Sequence, residues 1–269
     1  MNTETNQVER IEPDEVDDYL TELTLVGWSR ATKRKLLNVE IANEVRALMP
    51  VRLQLYHEWE LVYGMEQHGT SLQTLYQNCD PTVALRRKTS LYSGSDEGFM
   101  GSEVKRVITT GNGADLSPLR RNGYVMVIKD HAGNIFGAYL NEYLRPVESR
   151  RFYGNGECFL WKCSFVAMNQ YEGADGTVHH TVHSNTEKTM QFKAFPYTGE
   201  NDFLIYSNRN SIAIGSGGTD NLTNQFGLWI DADIENGYSH PCLTFGNECL
   251  SDAGKKFKIY GLEVWRVGS

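Results

Sequence analysis

The sequence predicts an α+β protein: an antiparallel two-sheet β-sandwich flanked by short helices. Three observations carry this. Short apolar, β-branched or aromatic runs recur through the second half, separated by Gly, Asn and Asp. Two stretches of the first half place apolar residues at helical spacing instead. No internal repeat is evident, which sets aside solenoids and propellers.

Taken in order, residues 1–23 carry Glu4, Glu9, Glu12, Asp14, Glu15, Asp17, Asp18 and Glu22 against Arg10 alone, a net of −7 out of the −8 of the whole chain. This reads as an acidic, disordered tail, with docking onto a basic surface as its functional alternative. The domain proper then runs over 24–269. Between Asn38 and Met49, Ile41, Val45 and Leu48 share a helical face, Asn38 can cap the start and Pro50 stops the end. Val51, Leu53 and Leu55 alternate, as do Trp59, Leu61 and Tyr63, so both stretches read as half-buried strands. Leu72, Leu75 and Tyr76 predict a second helix behind Ser71.

Pro81–Asn122 breaks into Ser, Gly, Arg and Asp and reads as a long inserted loop. Gly123–Asp130 and Ile135–Leu140, joined by HAGN, predict a β-hairpin. Further strands are expected at Glu157–Phe165, Met190–Phe195, Asp202–Tyr206, Ser211–Ile214, Phe226–Ile230 and Phe257–Val267, with a second inserted loop over Met168–Thr189.

Composition narrows the function. The remainder of the chain after the tail carries a net charge of only −1, and without a basic stripe nucleic acid is a poor ligand. No apolar run is long enough to cross a bilayer, and the polar, acidic start does not resemble a signal peptide, so a cytosolic or nuclear protein with no direct membrane insertion is expected. Cys79, Cys158, Cys163, Cys242 and Cys249 are odd in number and lack a CxxC pair, which reads as reduced thiols.

Candidate chemistry is sparse. Glu157, in GNGECF, and Glu263, in LEVW, sit among residues of core character, where a carboxylate must face solvent or find a partner. Turned to one surface, they could hold an Arg or Lys or act as an acid/base pair; alternatively they are structural carboxylates satisfied by backbone amides. Cys158 and Cys242 are the redox candidates, against a plain reading as core or loop cysteines, and Cys158 and Cys163 are expected on opposite faces of a strand. The HHTVH run of His179, His180 and His183 lacks the Glu of a zinc-protease motif. GSGG at Gly215–Gly218 has no following Lys-Ser/Thr and reads as a turn, and no GxSxG elbow orders a triad. No metal or cofactor is expected.

Eight blocks nevertheless resemble one family. WELVYG at Trp59–Gly64, HGTSLQTLY at His68–Tyr76, GYVMVIKDHAGNIFGAYL at Gly123–Leu140, GNGECFLW at Gly154–Trp161, YTGENDFLIY at Tyr197–Tyr206, FGLWID at Phe226–Asp231, SHPCLTFGNECLS at Ser239–Ser251 and LEVWRVG at Leu262–Gly268 look like the TLDc family in order and spacing. LMPVRLQLYHEWELVYGMEQHG is similar to the short, single-domain fungal members in particular.

The resemblance implies an antiparallel β-sandwich with peripheral helices and protection against oxidative damage. It also implies a partner, the cytosolic catalytic sector of the vacuolar proton-pumping ATPase, whose assembly or activity such proteins influence. The chain is then expected in the cytoplasm, recruited to the vacuolar membrane through that partner, with mitochondrial association left open. The expectation is a non-enzymatic regulator, with a thiol-dependent antioxidant enzyme as the alternative.

Overall fold

A computed structural model describes residues 22–83, 122–148, 151–167, 188–217 and 225–268. Most of the acidic tail, most of both predicted inserted loops and the three clustered histidines lie outside the described residues.

The chain enters through β1 (Thr24–Val26), which pairs in parallel with β2 (Glu58–Gly64). Between them come α1 (Val39–Leu48) and the single turn α2 (Val51–Gln54). The Asn38 side chain accepts a hydrogen bond from the Ile41 N–H at 2.8 Å, so the cap read from sequence is made. Val51–Leu55 is not a strand. Pro50, at φ −51° and without an N–H to lose, opens a helical turn that Leu53 N–H and Gln54 N–H close onto the Pro50 carbonyl. Only Leu53 turns inward, which is why three alternating apolar residues imitate a strand here.

After α3 (Met65–His68) and α4 (Leu72–Cys79), the strands follow: β3 (Gly123–Asp130), β4 (Ile135–Leu140), β5 (Phe159–Ala167), β6 (Lys188–Pro196), β7 (Ile205–Ser207), β8 (Ser211–Ser216), β9 (Phe226–Asp231), β10 (Asn236–Tyr238) and β11 (Lys256–Val267). The fold is mostly antiparallel sheet with few short helices, and the hairpin at β3 and β4 pairs as its sequence predicts. Two sheets were expected as separate layers. Hydrogen bonding instead joins the strands into one open network, β6-β5-β4-β3-β11-β10-β9-β8-β7, with β2 also on β11. The cause is the length of β11: its first residues pair with β10, and Ile259–Val267 pair with β3.

Two apolar cores flank the β3 side of this network. Tyr124, Met126 and Ile128 of β3 share one with Ile212 and Ile214 of β8 and Leu228 and Ile230 of β9. Val125 and Val127, on the opposite face, share the other with Ile41 and Val45 of α1, Leu53 and Trp265. Burial on both faces explains the unbroken apolar run of β3.

Candidate functional site

The two candidate carboxylates have different surroundings. Glu263 is buried on β11, with 4% of its surface exposed. One of its oxygens accepts from Trp28 Nε1 at 3.2 Å and the Leu36 N–H at 3.0 Å; the other accepts from the Leu37 N–H at 3.1 Å and Trp265 Nε1 at 3.1 Å. Four neutral donors thus serve a carboxylate, and three of them come from the segment that links β1 to α1.

That segment is a strap across β11. Trp28 packs edge-on against Trp265 at 4.7 Å between ring centroids. Gln67 of α3 accepts the Ser29 N–H at 2.7 Å and donates to the Gly27 carbonyl at 3.1 Å. Glu66 accepts the Arg34 N–H at 2.9 Å, and this contact, first among its causes, draws the Glu66 carboxyl below its usual range. Beneath the strap lies a cavity of about 300 Å³ whose walls include Trp28, Leu61, Met65 and Leu262.

Glu157 lies in a turn before β5 and not inside that strand, which begins at Phe159. Its two oxygens accept from Arg52 Nη1 and Nη2 at 2.8 and 2.9 Å, a bidentate pair reaching across to α2. The arginine that Glu157 holds belongs to its own chain. Glu157 and Glu263 have no hydrogen-bond partner in common: one is held by Arg52, the other by the strap and Trp265.

The Arg52–Glu157 pair fixes an apolar corner that the alternating pattern concealed. Val51 and Leu55 are each 73% exposed and lie one helical turn apart, with Leu48 at 50% and Tyr56 at 39% beside them in sequence. Side-chain hydrogen bonds tie the corner to the end of α1. Arg46 Nε donates to the Gln54 carbonyl at 2.7 Å, and the Gln54 side chain donates back to the Met49 carbonyl at 2.8 Å and that of Ala47 at 3.3 Å. Four large apolar side chains thus stand exposed within nine residues, Leu48 to Tyr56. A helical reading from Pro50 would have put Val51 and Leu55 on one outer face.

The redox candidates sit where a thiolate is disfavoured. Burial pushes the Cys158 thiol up to about 12, and its Sγ lies 3.1 Å from Asn141 Oδ1. Burial likewise raises Cys242, whose Sγ lies 3.1 Å from Asn247 Oδ1. His240, the nearest imidazole in sequence, has its pKa pushed down by its own burial and then by Lys255 and Lys256, so it offers little positive charge to the thiol. Cys158 and Cys163 do face opposite ways, each in a different core. Of GSGG, Gly215 belongs to β8 and Gly217 follows it at φ +93°, accepting the Leu243 N–H on its carbonyl at 2.7 Å; this is a strand end.

This architecture has known relatives. The TLDc domain model matches residues 31–268. Oxidation resistance protein 1 of Debaryomyces hansenii is 45% identical over 256 residues, covering 93% of this chain and 76% of that protein. The protein of the same name from Kluyveromyces lactis is 41% identical over 256 residues, with coverage of 94% and 84%. That of Saccharomyces cerevisiae is 40% identical over 253 residues, with coverage of 93% and 79%.

Proposed function

The chain belongs to the TLDc-domain family, and from that premise we propose that it is a non-enzymatic regulator in resistance to oxidative stress, acting by binding. The partner in this reading is the cytosolic catalytic sector of the vacuolar proton-pumping ATPase. Binding shifts pump assembly or activity because the protein has different affinities for the assembled and dissociated states. The oxidative-stress link draws on the names of the relatives, and the ATPase link on the family resemblance.

The observation that carries a binding role is the exposed corner of Leu48, Val51, Leu55 and Tyr56. Glu157 supports it by holding α2 through Arg52, and Glu263 supports the neighbouring layer by holding the strap. A thiol enzyme would need an activated thiolate, whereas burial raises both Cys158 and Cys242. In this reading the chain is a cytoplasmic protein brought to the vacuolar membrane by its partner.

The test is capture of cytosolic proteins on the purified chain, followed by measurement of pump assembly with and without it. The expected result is enrichment of the ATPase's cytosolic subunits and altered assembly, both reduced at least tenfold by V51D combined with L55D. Because both positions are solvent-exposed, the double variant should keep its melting temperature. Failure of the parent chain both to enrich those subunits and to alter assembly would overturn the ATPase reading. An unaffected double variant would overturn the corner as the surface.

A further inference from the structure

A second surface is invisible along the sequence because its charges come from three distant stretches. In β11, Ile259 and Gly261 pair with the adjacent residues Asp130 and Lys129, leaving Tyr260 as the extra residue of a bulge. Tyr260 is 39% exposed. Around it gather Arg34 of the strap, with Cζ 5.0 Å from the ring centroid, Lys129 of β3, with Nζ 6.0 Å away, and His131, edge-on at 5.6 Å.

Lys35 lies next to Arg34, its Nζ 4.2 Å over the Trp28 ring, and Lys258 shares the outer face of β11 with Tyr260. The Lys258 carbonyl accepts the His131 N–H at 3.0 Å, tying the two stretches together. Among the described residues, Glu66, 3.7 Å from Arg34, is the carboxylate in ion-pair contact with this group.

We propose that this tyrosine-centred basic face is an intramolecular docking surface for the chain's own acidic segment, residues 1–21. Charge matches the two: seven carboxylates against Arg10 leave that segment at −6. Connectivity favours it as well, because the segment joins the described chain at Glu22, twelve residues before Arg34. Twelve residues span at most about 43 Å, whereas twenty-one extend to about 75 Å, so the segment has reach to spare. Tethering raises its local concentration to roughly millimolar, which suits a weak, salt-sensitive contact of exposed charges. The inference is independent of the ATPase reading.

The experiment is zero-length carbodiimide cross-linking of the full chain, read by mass spectrometry, with isotope-labelled and unlabelled chains mixed to separate intramolecular from intermolecular links. Links from the acidic segment should fall on Lys35, Lys129 and Lys258, within single chains, and drop about fivefold between 0.05 and 0.5 M salt. In the same full chain, the combined variant E12Q, D14N, E15Q, D17N and D18N should raise acetylation of those three lysines about threefold and leave Lys193 unchanged. Links spread equally onto Lys193, links found only between chains, or acetylation rates indifferent to the variant would each overturn the proposal.

Discussion

Glu263 and Glu157 look alike in the sequence, each an isolated carboxylate in an apolar run, yet the regions they hold are built on opposite principles. At the strap, a buried carboxylate accepts from four neutral donors, and among the described residues no cation forms an ion pair with it. At the corner, a half-exposed charge meets one guanidinium in a bidentate pair, with side chains 46% and 31% exposed. The energetic weight of each follows from what its removal leaves behind. Loss of Glu263 leaves two buried backbone amides and the buried Trp265 indole without an acceptor, together with the half-buried Trp28 indole, whereas loss of Glu157 returns Arg52 to solvent.

Removal of the buried acceptor is therefore the strongest way to break this comparison. Glu263→Ala should destabilise the fold by about 4 kcal/mol or more, measured by denaturant unfolding. Trp28→Phe, which removes one donor and keeps most of the ring, should cost about 1.5 kcal/mol and serves if the first variant does not fold. A Glu263→Ala protein of parental stability would show that water replaces the carboxylate freely.

Burial against charge can be sharpened at Cys158, the neighbour of Glu157. Its thiol is raised to about 12 mainly by burial, with Glu157 a lesser contributor. Alkylation at pH 8 should be about a thousandfold slower in the native than in the unfolded chain. Because the folded thiol titrates above the unfolded one, its contribution to stability is complete below about pH 9 and is lost as pH rises toward 12; unfolding followed across that window should show the decline.

Smaller effects belong to the exposed side of the comparison. Asn38→Ala, at the cap of α1, should cost about 1 kcal/mol of stability. A double-mutant cycle on Arg52 and Glu157 should return about 0.5 kcal/mol, vanishing in 1 M salt; a coupling of several kcal/mol there would erase the distinction between the two sites.

Legibility in the sequence follows the range of the interactions. The β3–β4 hairpin and the capped α1 were readable because period, turn and cap all act within a dozen residues. Three-residue strands such as β1 and β10 carry too little pattern to announce themselves. At Val51–Leu55 the apolar alternation was real, but the proline before it decided the conformation. Glu157 and Glu263 could be singled out as carboxylates in need of partners. The partners themselves lie 105 residues away for Glu157, and 226 to 235 residues away for three of the four donors to Glu263, so no local signal names them. The basic face around Tyr260 escapes for the same reason, since a net charge near neutral hides how charges from separate strands assemble.

The strand that both halves of the network share also orders events in time. Neither β3 nor β10 has its β11 neighbour until residues 256–267 have been synthesised, so the central pairings must wait for the last described element of the fold. Folding governed by such distant contacts is slow and leaves strand edges open during synthesis. A nascent chain of this protein would thus need protection from aggregation at the moment when nearly all of its apolar residues are already out of the ribosome.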